Sequence, residues 1–338
     1  MATMDVFNSN AFSLTSLSGA VNKLDYKPQL LGELGLFDKM PVRAQNIFVD
    51  QRDGALNLIQ TSNIGAPPEE LKRDSRSAVS LKATRLAKSA TIQAAEIASW
   101  RAFGTESDHT VVMSEVARRL ERVRQDMELT HERHRLTALQ GILLDADGST
   151  IRNYFTEFNV SVPANVPFLL DTATTEIRTI CHNITRSMAR SAKGSFTGST
   201  TVHAICGDTF YDKLISHPNV KNTYLNWSAA TDLRQNTAFG AFSFGGITFH
   251  NYRGTDDNST VAVGVNDAKF FPVGASDVFV QAMAPADEFM PYVGTPGQEL
   301  YAMTIQDRDR QASVKLEMYS YPLYICQQPG VLRTGTVV

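Results

Sequence analysis

The residues best suited to chemistry are two histidines, His131 and His134, in the run His-Glu-Arg-His-Arg. Imidazole rings three residues apart on a helix lie near each other and could bind a metal ion. The helical zinc-protease motif instead places two histidines four residues apart, with a glutamate between them. No cysteine, third histidine or carboxylate cluster stands nearby in the sequence. We therefore interpret both histidines as solvated side chains of a helix and predict no metal site.

The second candidate is a carboxylate pair, Asp307 and Asp309, which alternates with Arg308 and Arg310. Paired carboxylates can share the acid and base roles of hydrolysis. Where aspartates and arginines alternate at a strand tip, the opposite charges more often pair with each other or with a neighbouring chain. The sequence also lacks a Gly-x-Ser-x-Gly motif and a phosphate-binding loop with its lysine. We predict no catalytic residue and no cofactor; an enzyme with a site built from scattered residues is the less favoured alternative.

The composition is that of an ordinary globular protein with two or three domains. Of the 338 residues, 43% are hydrophobic and 20% are charged, and the formal net charge is −3. This balance gives no electrostatic reason to expect specific nucleic-acid binding. Three widely separated cysteines, Cys181, Cys206 and Cys326, indicate reduced thiols rather than disulfides. No apolar run reaches the length of a membrane span, so we expect no membrane partner.

The elements that hold these residues are organised around one long helix, predicted for residues 111–144. Apolar residues recur there at steps of three and four, at Met113, Val116, Leu120, Val123 and Met127. This spacing places a narrow apolar stripe on an otherwise charged helix. We expect one side of the helix to pack on its own domain and the polar remainder to face solvent or other subunits.

The remaining patterns predict short strands and helices. Residues 1–44 hold irregular apolar clusters, and residues 45–90 alternate as strands around a polar loop at 62–77. Further helices are predicted at 94–103, 171–192 and 207–217. Further strands are predicted at 151–158, 201–206, 261–265, 277–283, 301–306 and 312–326, with a hairpin at 239–252. The chain is therefore predicted to be α+β, with a compact α+β domain at about 171–285.

The order of these elements resembles that of a tailed-phage major capsid protein of the HK97 fold, and most closely the lambda-type capsid protein E family. Five short motifs carry the likeness: Ser-Leu-Lys at 80–82, Arg-Ala-Phe-Gly at 101–104, Gly-Ile-Leu-Leu-Asp-Ala-Asp-Gly at 141–148, Asn-Tyr-Phe-Thr-Glu-Phe at 153–158 and Pro-Leu-Tyr-Ile-Cys at 322–326. Each motif is weak by itself, and their common order over nearly the whole chain is the stronger argument.

The resemblance implies a division of the chain. Residues 1–44 would be an N-terminal arm (N-arm), and residues 45–90 would form the strands and loop of an extended E-loop. Residues 91–165 would form a peripheral domain with the spine helix at 111–144. Residues 166–290 would form an axial domain, and residues 291–338 would return to the peripheral domain as strands and the C-terminus.

The resemblance also implies a function and partners. Copies would assemble, as pentamers and hexamers, into the icosahedral shell of a virion built in the host cytoplasm. The shell would enclose double-stranded DNA through non-specific contacts only. A separate scaffolding protein and a portal are expected. Reversible salt bridges are expected rather than covalent crosslinks through loop lysines, and a decoration protein that clamps the shell is the alternative. An encapsulin-type bacterial compartment is the alternative. We expect contacts between subunits at Lys72, Arg73, Asp74, Arg76, Arg118, Arg122, Asp307, Arg308, Asp309 and Arg310.

Overall fold

The computed structural model describes residues 30–52, 76–99, 108–225, 241–252, 254 and 261–338. The described chain divides into two compact units. The first contains the described parts of residues 1–47, 82–135 and 280–325, and the second those of residues 48–81, 136–279 and 326–338. Within the described residues, no helix is both long and apolar enough to cross a membrane.

Helices and strands are mixed along the described chain, as predicted for an α+β protein. The helices are α1 Leu30–Glu33, α2 Ala94–Ser99, α3 Asp108–Leu139, α4 Tyr154–Glu157, α5 Ile177–Ser191, α6 Asp208–Ser216 and α7 Pro218–Leu225. The strands are β1 Asp38–Pro41, β2 Asn46–Arg52, β3 Arg76–Lys82, β4 Leu86–Gln93, β5 Ile142–Leu144, β6 Thr150–Asn153, β7 Val166–Pro167, β8 Thr201–Cys206, β9 Ala241–Phe244, β10 Ile247–Asn251, β11 Asp267–Val273, β12 Phe279–Met283, β13 Tyr301–Gln306, β14 Ser313–Ser320, β15 Pro322–Cys326 and β16 Arg333–Thr336.

The first unit is built on the antiparallel sheet β13-β14-β4, which packs against α3. The predicted apolar stripe of α3 is buried at Val116, Leu120, Val123 and Met127. Met113 is only partly buried against the same core, and Val112 beside it is fully buried. The stripe meets buried sheet residues that include Val314, which lies opposite Ile92 in the strand register. A second sheet, β1-β12-β15, completes this unit.

The long helix is shorter than predicted at its C-terminal end. It ends at Leu139, and residues 142–144, predicted to be helical, form β5 and pair with β6. Gly141 makes the change of direction, because its φ of +81° is a conformation that residues with a side chain rarely adopt. The apolar residues 142–144 therefore serve a strand rather than the last turn of a helix.

The prediction of solvated histidines on this helix is wrong. His131 and His134 are only 3% and 0% exposed, and Glu132 beside them is 0% exposed. The Leu31 backbone of α1 and the Tyr324 ring contact this part of α3, and Phe37 packs on the Tyr324 ring. The narrow-stripe pattern holds for the first turns of α3 and fails here, because other segments of the same unit cover the polar side.

The second unit is built on the six-stranded sheet β7-β16-β11-β8-β10-β9. One face of α5 is buried against it, through Ile177, Cys181, Ile184 and Met188. Strand β8, helix α6 and the β9–β10 hairpin fall where they were predicted. Helix α5 begins at Ile177 rather than at residue 171. The Asp171 carboxylate, expected at the helix start, instead pairs with Lys213 at 2.7 Å.

Several other elements differ from the predictions. Residues 151–158, predicted as a strand, divide between β6 and α4, where Asn153 caps the helix through its side chain. Residues 261–265 form no strand, and residues 312–326 divide at Tyr321 into β14 and β15, which belong to different sheets. Strands β1, β11 and β16 were not predicted.

The compact units also cut across the predicted segments. Strand β16, within residues 326–338, lies between β7 and β11 in the second unit. Residues 136–165 belong to the second unit, and residues 280–290 to the first. Residues 280–290 belong to the first unit because β12 pairs with β1, near the start of the described chain.

Candidate intersubunit surface

The exposed side of α3 carries an ion-pair network centred on Glu115. Its carboxylate accepts hydrogen bonds from Arg118 Nε at 2.8 Å and from Arg119 Nε at 2.9 Å. Arg119 also contacts Glu96 and donates to the Thr91 carbonyl at 2.6 Å, which ties α3 to the adjoining end of β4 and α2. The bonds from Arg118 and then Arg119 lower the pKa of Glu115 to about 2. The two arginines therefore keep the Glu115 carboxylate ionised down to strongly acidic pH.

The predicted interface residues Arg118 and Arg122 both lie on this face. The Arg118 side chain is 61% exposed although it pairs with Glu115 within the chain. Arg122 is exposed one turn further along. Lys88 of β4 pairs with Asp126 at 2.6 Å, and both are half exposed. The face therefore offers mixed charge, with guanidinium groups that solvent or another chain can reach.

The second predicted contact region is the tip of the β13–β14 hairpin, Asp307 to Arg310. Asp307 Oδ1 accepts from the backbone N–H groups of Asp309 and Arg310, each at 3.2 Å. These bonds, the one from Arg310 first, lower the pKa of the Asp307 carboxyl. Asp307 therefore shapes the turn through the backbone of Asp309 and Arg310. The side chains of Arg308, Asp309 and Arg310 are exposed.

An exposed apolar loop lies in the same unit and was missed from the sequence. Residues Met290–Tyr292 form a 3-10 turn in which Met290 is 89% exposed, and Val293 after it is 55% exposed. Tyr292 anchors the loop through an edge contact with Tyr301, 4.6 Å between ring centroids. Apolar residues between prolines and glycines were the available signal, but one sequence cannot distinguish an exposed Met from a buried one.

The anchoring of this loop includes a charged bridge to the start of β4. Arg85 donates to Glu288 through Nε at 2.8 Å and through Nη2 at 3.2 Å, and the Tyr321 hydroxyl also contacts Glu288. These partners lower the pKa of Glu288, the bond from Arg85 first. A bidentate arginine–carboxylate pair fixes orientation better than a lysine pair, so the loop presents Met290 in a defined position.

The other predicted contact residues cannot be placed in the same way. Lys72, Arg73 and Asp74 lie outside the described residues, and Arg76 is the first residue of β3. Among the described residues, no group of three or more histidine, cysteine or acidic side chains could hold a metal ion. The geometry is therefore that of a surface with mixed charge and an apolar projection, which suits contact between proteins.

Comparison with known proteins identifies the family. The family model for phage major capsid protein E matches residues 13–337. The chain belongs to this family. The major capsid protein of Salmonella phage Felix O1 is 26% identical over 354 residues, covering 95% of both chains. That of Pseudomonas phage KPP10 is 26% identical over 319 residues, covering 88% of this chain and 89% of the relative.

Solved structures show the same fold. The capsid protein of a prophage of E. coli CFT073 is 13% identical and matches with a TM-score of 0.59, covering 96% of this chain and 99% of that one. The cyanophage P-SCSP1u capsid is 9% identical with a TM-score of 0.50, covering 93% and 90%. The predicted HK97-like fold and the predicted family are confirmed. The chain is a tailed-phage major capsid protein, a component of the virion capsid, and the encapsulin-type alternative receives less support.

Proposed function

We propose that the chain forms pentamers and hexamers of an icosahedral shell that encloses packaged double-stranded DNA. The family match over residues 13–337 carries this proposal, because a major capsid protein acts by binding copies of itself. Many modest interfaces then add up to a stable shell, while each one stays weak enough to correct errors during assembly.

The proposed division of labour follows the chain. Residues 1–44 act as an arm, and residues 45–90 act as the E-loop. Strands β2 and β3 of this segment pair with each other. In the sequence they flank the polar loop predicted at residues 62–77. The spine helix is α3, and residues 166–290 supply most of the axial domain. This assignment is supported by the order of the elements and by the family, and the unit boundaries suggest that residues 326–338 act with the axial part.

The proposed contacts between subunits use the exposed arginines of the first unit. Arg118 and Arg122 on α3, and Arg308 and Arg310 on the hairpin tip, have exposed guanidinium groups and no role in the core. Contacts of this kind set register and specificity, since reversing a charge there brings like charges together. Lys72, Arg73, Asp74 and Arg76 are proposed to contact neighbouring subunits from the E-loop.

The contacts are tested by the double substitution Arg308→Glu and Arg310→Glu. We expect a folded chain with an unchanged circular dichroism spectrum and thermal midpoint, but loss of sedimenting shells. The matched control is Lys315→Glu, an exposed charge reversal on the same hairpin outside the proposed contacts. Normal particles from the double variant would show that the hairpin tip is not an interface.

The proposed partners are a separate scaffolding protein, a portal and, to reinforce the shell, a decoration protein. The role is structural, without catalysis. DNA is expected to meet the shell only through non-specific contacts, because the chain, with a formal net charge of −3, has no overall positive charge to attract phosphates. Co-expression of the chain with the other assembly proteins of its phage tests these partners. The scaffolding protein is expected to raise the yield of closed shells.

A further inference from the structure

The Met290 loop, residues 286–293 of the first unit, carries apolar side chains on an anchored backbone. Met290 is 89% exposed and Val293 is 55% exposed. The Phe289 ring, directly before Met290, packs edge-on against Tyr319 with 5.0 Å between ring centroids. The backbone that carries Met290 is therefore ordered before any partner binds, which lowers the cost of binding one.

The same loop is acidic. It contains Asp287 and Glu288 and no lysine or arginine. The Asp287 side chain is exposed, whereas Glu288 is held by Arg85 at 2.8 Å. The loop therefore combines an apolar projection with an exposed carboxylate three residues before it.

An apolar pocket of about 370 Å³ lies in the second unit. We call it the Val162 pocket, after a lining residue that is 68% exposed. Pockets of roughly 300–1,000 Å³ hold small ligands, so this one has room for a methionine side chain. Its apolar walls include Leu139, Ile142, Leu144, Phe155, Val162 and Leu332.

The charge of the Val162 pocket is positive. Among the described residues that line it, the charged ones are Lys269 and Arg333, and none is acidic. The Arg333 guanidinium donates to carbonyl groups and serine hydroxyls, and within the described part of the chain it pairs with no carboxylate. Lys269 Nζ lies 3.5 Å from Asp267 Oδ2, which is long for an ion pair. A partner that brings a carboxylate therefore complements the pocket.

We propose that the Met290 loop of one subunit binds the Val162 pocket of a neighbouring subunit, with Met290 in the apolar recess and Asp287 facing Lys269 and Arg333. The occupant of the pocket is thus a second copy of this chain. This contact rests on the proposed function, since only an assembling chain presents its loop to the pocket of another copy. A loop that binds a different surface of the next copy makes a head-to-tail contact, and such contacts close into rings.

Cysteine crosslinking of assembled shells tests the contact. The test chain carries Met290→Cys and Val162→Cys; the three native cysteines are buried and do not compete. After mild oxidation we expect dimers and longer linked chains on a non-reducing gel, which a reductant removes. The matched control combines Met290→Cys with Val265→Cys, an exposed valine of the same unit that does not line the pocket, and its chains should stay unlinked.

The outcomes separate this contact from the proposed function. Shells that form without linked chains, or with equal linking in both cysteine pairs, would overturn the contact and leave the proposed function standing. A disulfide confined to single chains would place the loop in the pocket of its own chain and would also overturn it. If the unmodified chain forms no shells under the same conditions, the proposed function fails and the contact fails with it.

Met290→Ala is a second test that requires no new bond. Because Met290 is exposed, we expect the fold and the thermal midpoint to be unchanged. The chain concentration needed for half-maximal shell formation should rise about tenfold, since one apolar side chain is no longer buried at each contact. Met40→Ala, a less exposed methionine on β1 of the same unit, should assemble as the unmodified chain does. An unchanged concentration in Met290→Ala would overturn the contact.

Discussion

A pair of histidines in the second unit gives a physical reason to expect lower stability of the chain in mild acid. His203 Nδ1 and His250 Nε2 lie 3.0 Å apart and share one proton, and the Thr201 hydroxyl contacts the other nitrogen of His203 at 3.0 Å. Burial, then the charge of His203, lowers the pKa of His250 to about 4, and burial also lowers the pKa of His203. The folded pair is therefore neutral at pH values where the unfolded chain takes up protons.

The first prediction concerns this pair. Between about pH 6.5 and 4 the unfolded chain binds more protons than the folded one, so stability falls as the pH is lowered. We expect a loss of up to about 1 kcal/mol per pH unit from His250, since solvent screens part of the effect. His250→Gln should flatten the slope in urea unfolding at pH 7, 6 and 5. The exposed His182→Gln should leave the slope unchanged; an equal change in both variants would rule out this origin.

A second prediction concerns Glu132, the buried carboxylate that joins α3 to α1. One oxygen accepts from the Leu31 N–H and the other from Arg135. Glu132→Gln removes the negative charge that balances Arg135 in a buried place, and we expect a loss of about 3 kcal/mol in urea unfolding. Glu121→Gln, where the carboxylate accepts from Gln125 on the exposed side of the same helix, should cost less than about 0.5 kcal/mol. Similar costs at both positions would contradict the bridging role of Glu132.

At the scale of residues, the sequence showed where charged side chains lie but not which side chains are buried. Asp307 and the arginines around it could be placed at a hairpin tip, because alternation and local polarity are visible in the sequence. The burial of His131 could not be predicted, because the groups that cover it, Leu31 and Tyr324, are about one hundred or more residues away. Local periodicity carries no information about such partners.

At the scale of elements, the turn from α3 into β5 depends on Gly141. A Cβ added there would lie 2.3 Å from the Phe155 ring, in a residue whose φ is already +81°. Gly148 has a similar φ of +85°, but a Cβ there would meet nothing within 4 Å. The two glycines therefore share the conformational requirement and differ in the space around them.

This pair gives the third prediction. Gly141→Ala should cost about 3 kcal/mol, from the strained backbone and from the collision with Phe155 together. Gly148→Ala should cost only the conformational part, about 1 kcal/mol. Thermal unfolding of both variants measures the difference, and equal costs would mean that the Phe155 ring moves aside freely.

Elements with regular periodicity were predicted well, and those set by distant pairing were not. Strand β8 follows from a short run typical of a buried strand, and the β9–β10 hairpin follows from alternation and glycines over a few residues. The end of α3 was placed too late because residues 142–144 are apolar and suit a helix or a strand. Pairing with β6 decides between the two, and a helical pattern cannot reveal it.

At the scale of the whole molecule, the chain returns to each compact unit more than once. The first unit takes three separate stretches, and the second also takes three, the last being residues 326–338. The order of elements was enough to identify the family, because order survives when individual motifs diverge. The order of elements alone does not show which unit β12 and β16 belong to. That depends on pairing with strands far away in the sequence, β1 for β12 and β7 and β11 for β16.

The central claim is that copies of this chain build a closed shell. Negative-stain electron microscopy of purified, sedimented protein tests it most directly, with the chain co-expressed with the phage scaffolding protein. We predict closed particles tens of nanometres across, with DNA and not enzyme cargo in those from infected cells. A chain that stays monomeric alongside the assembly proteins, with its fold intact, would contradict the claim.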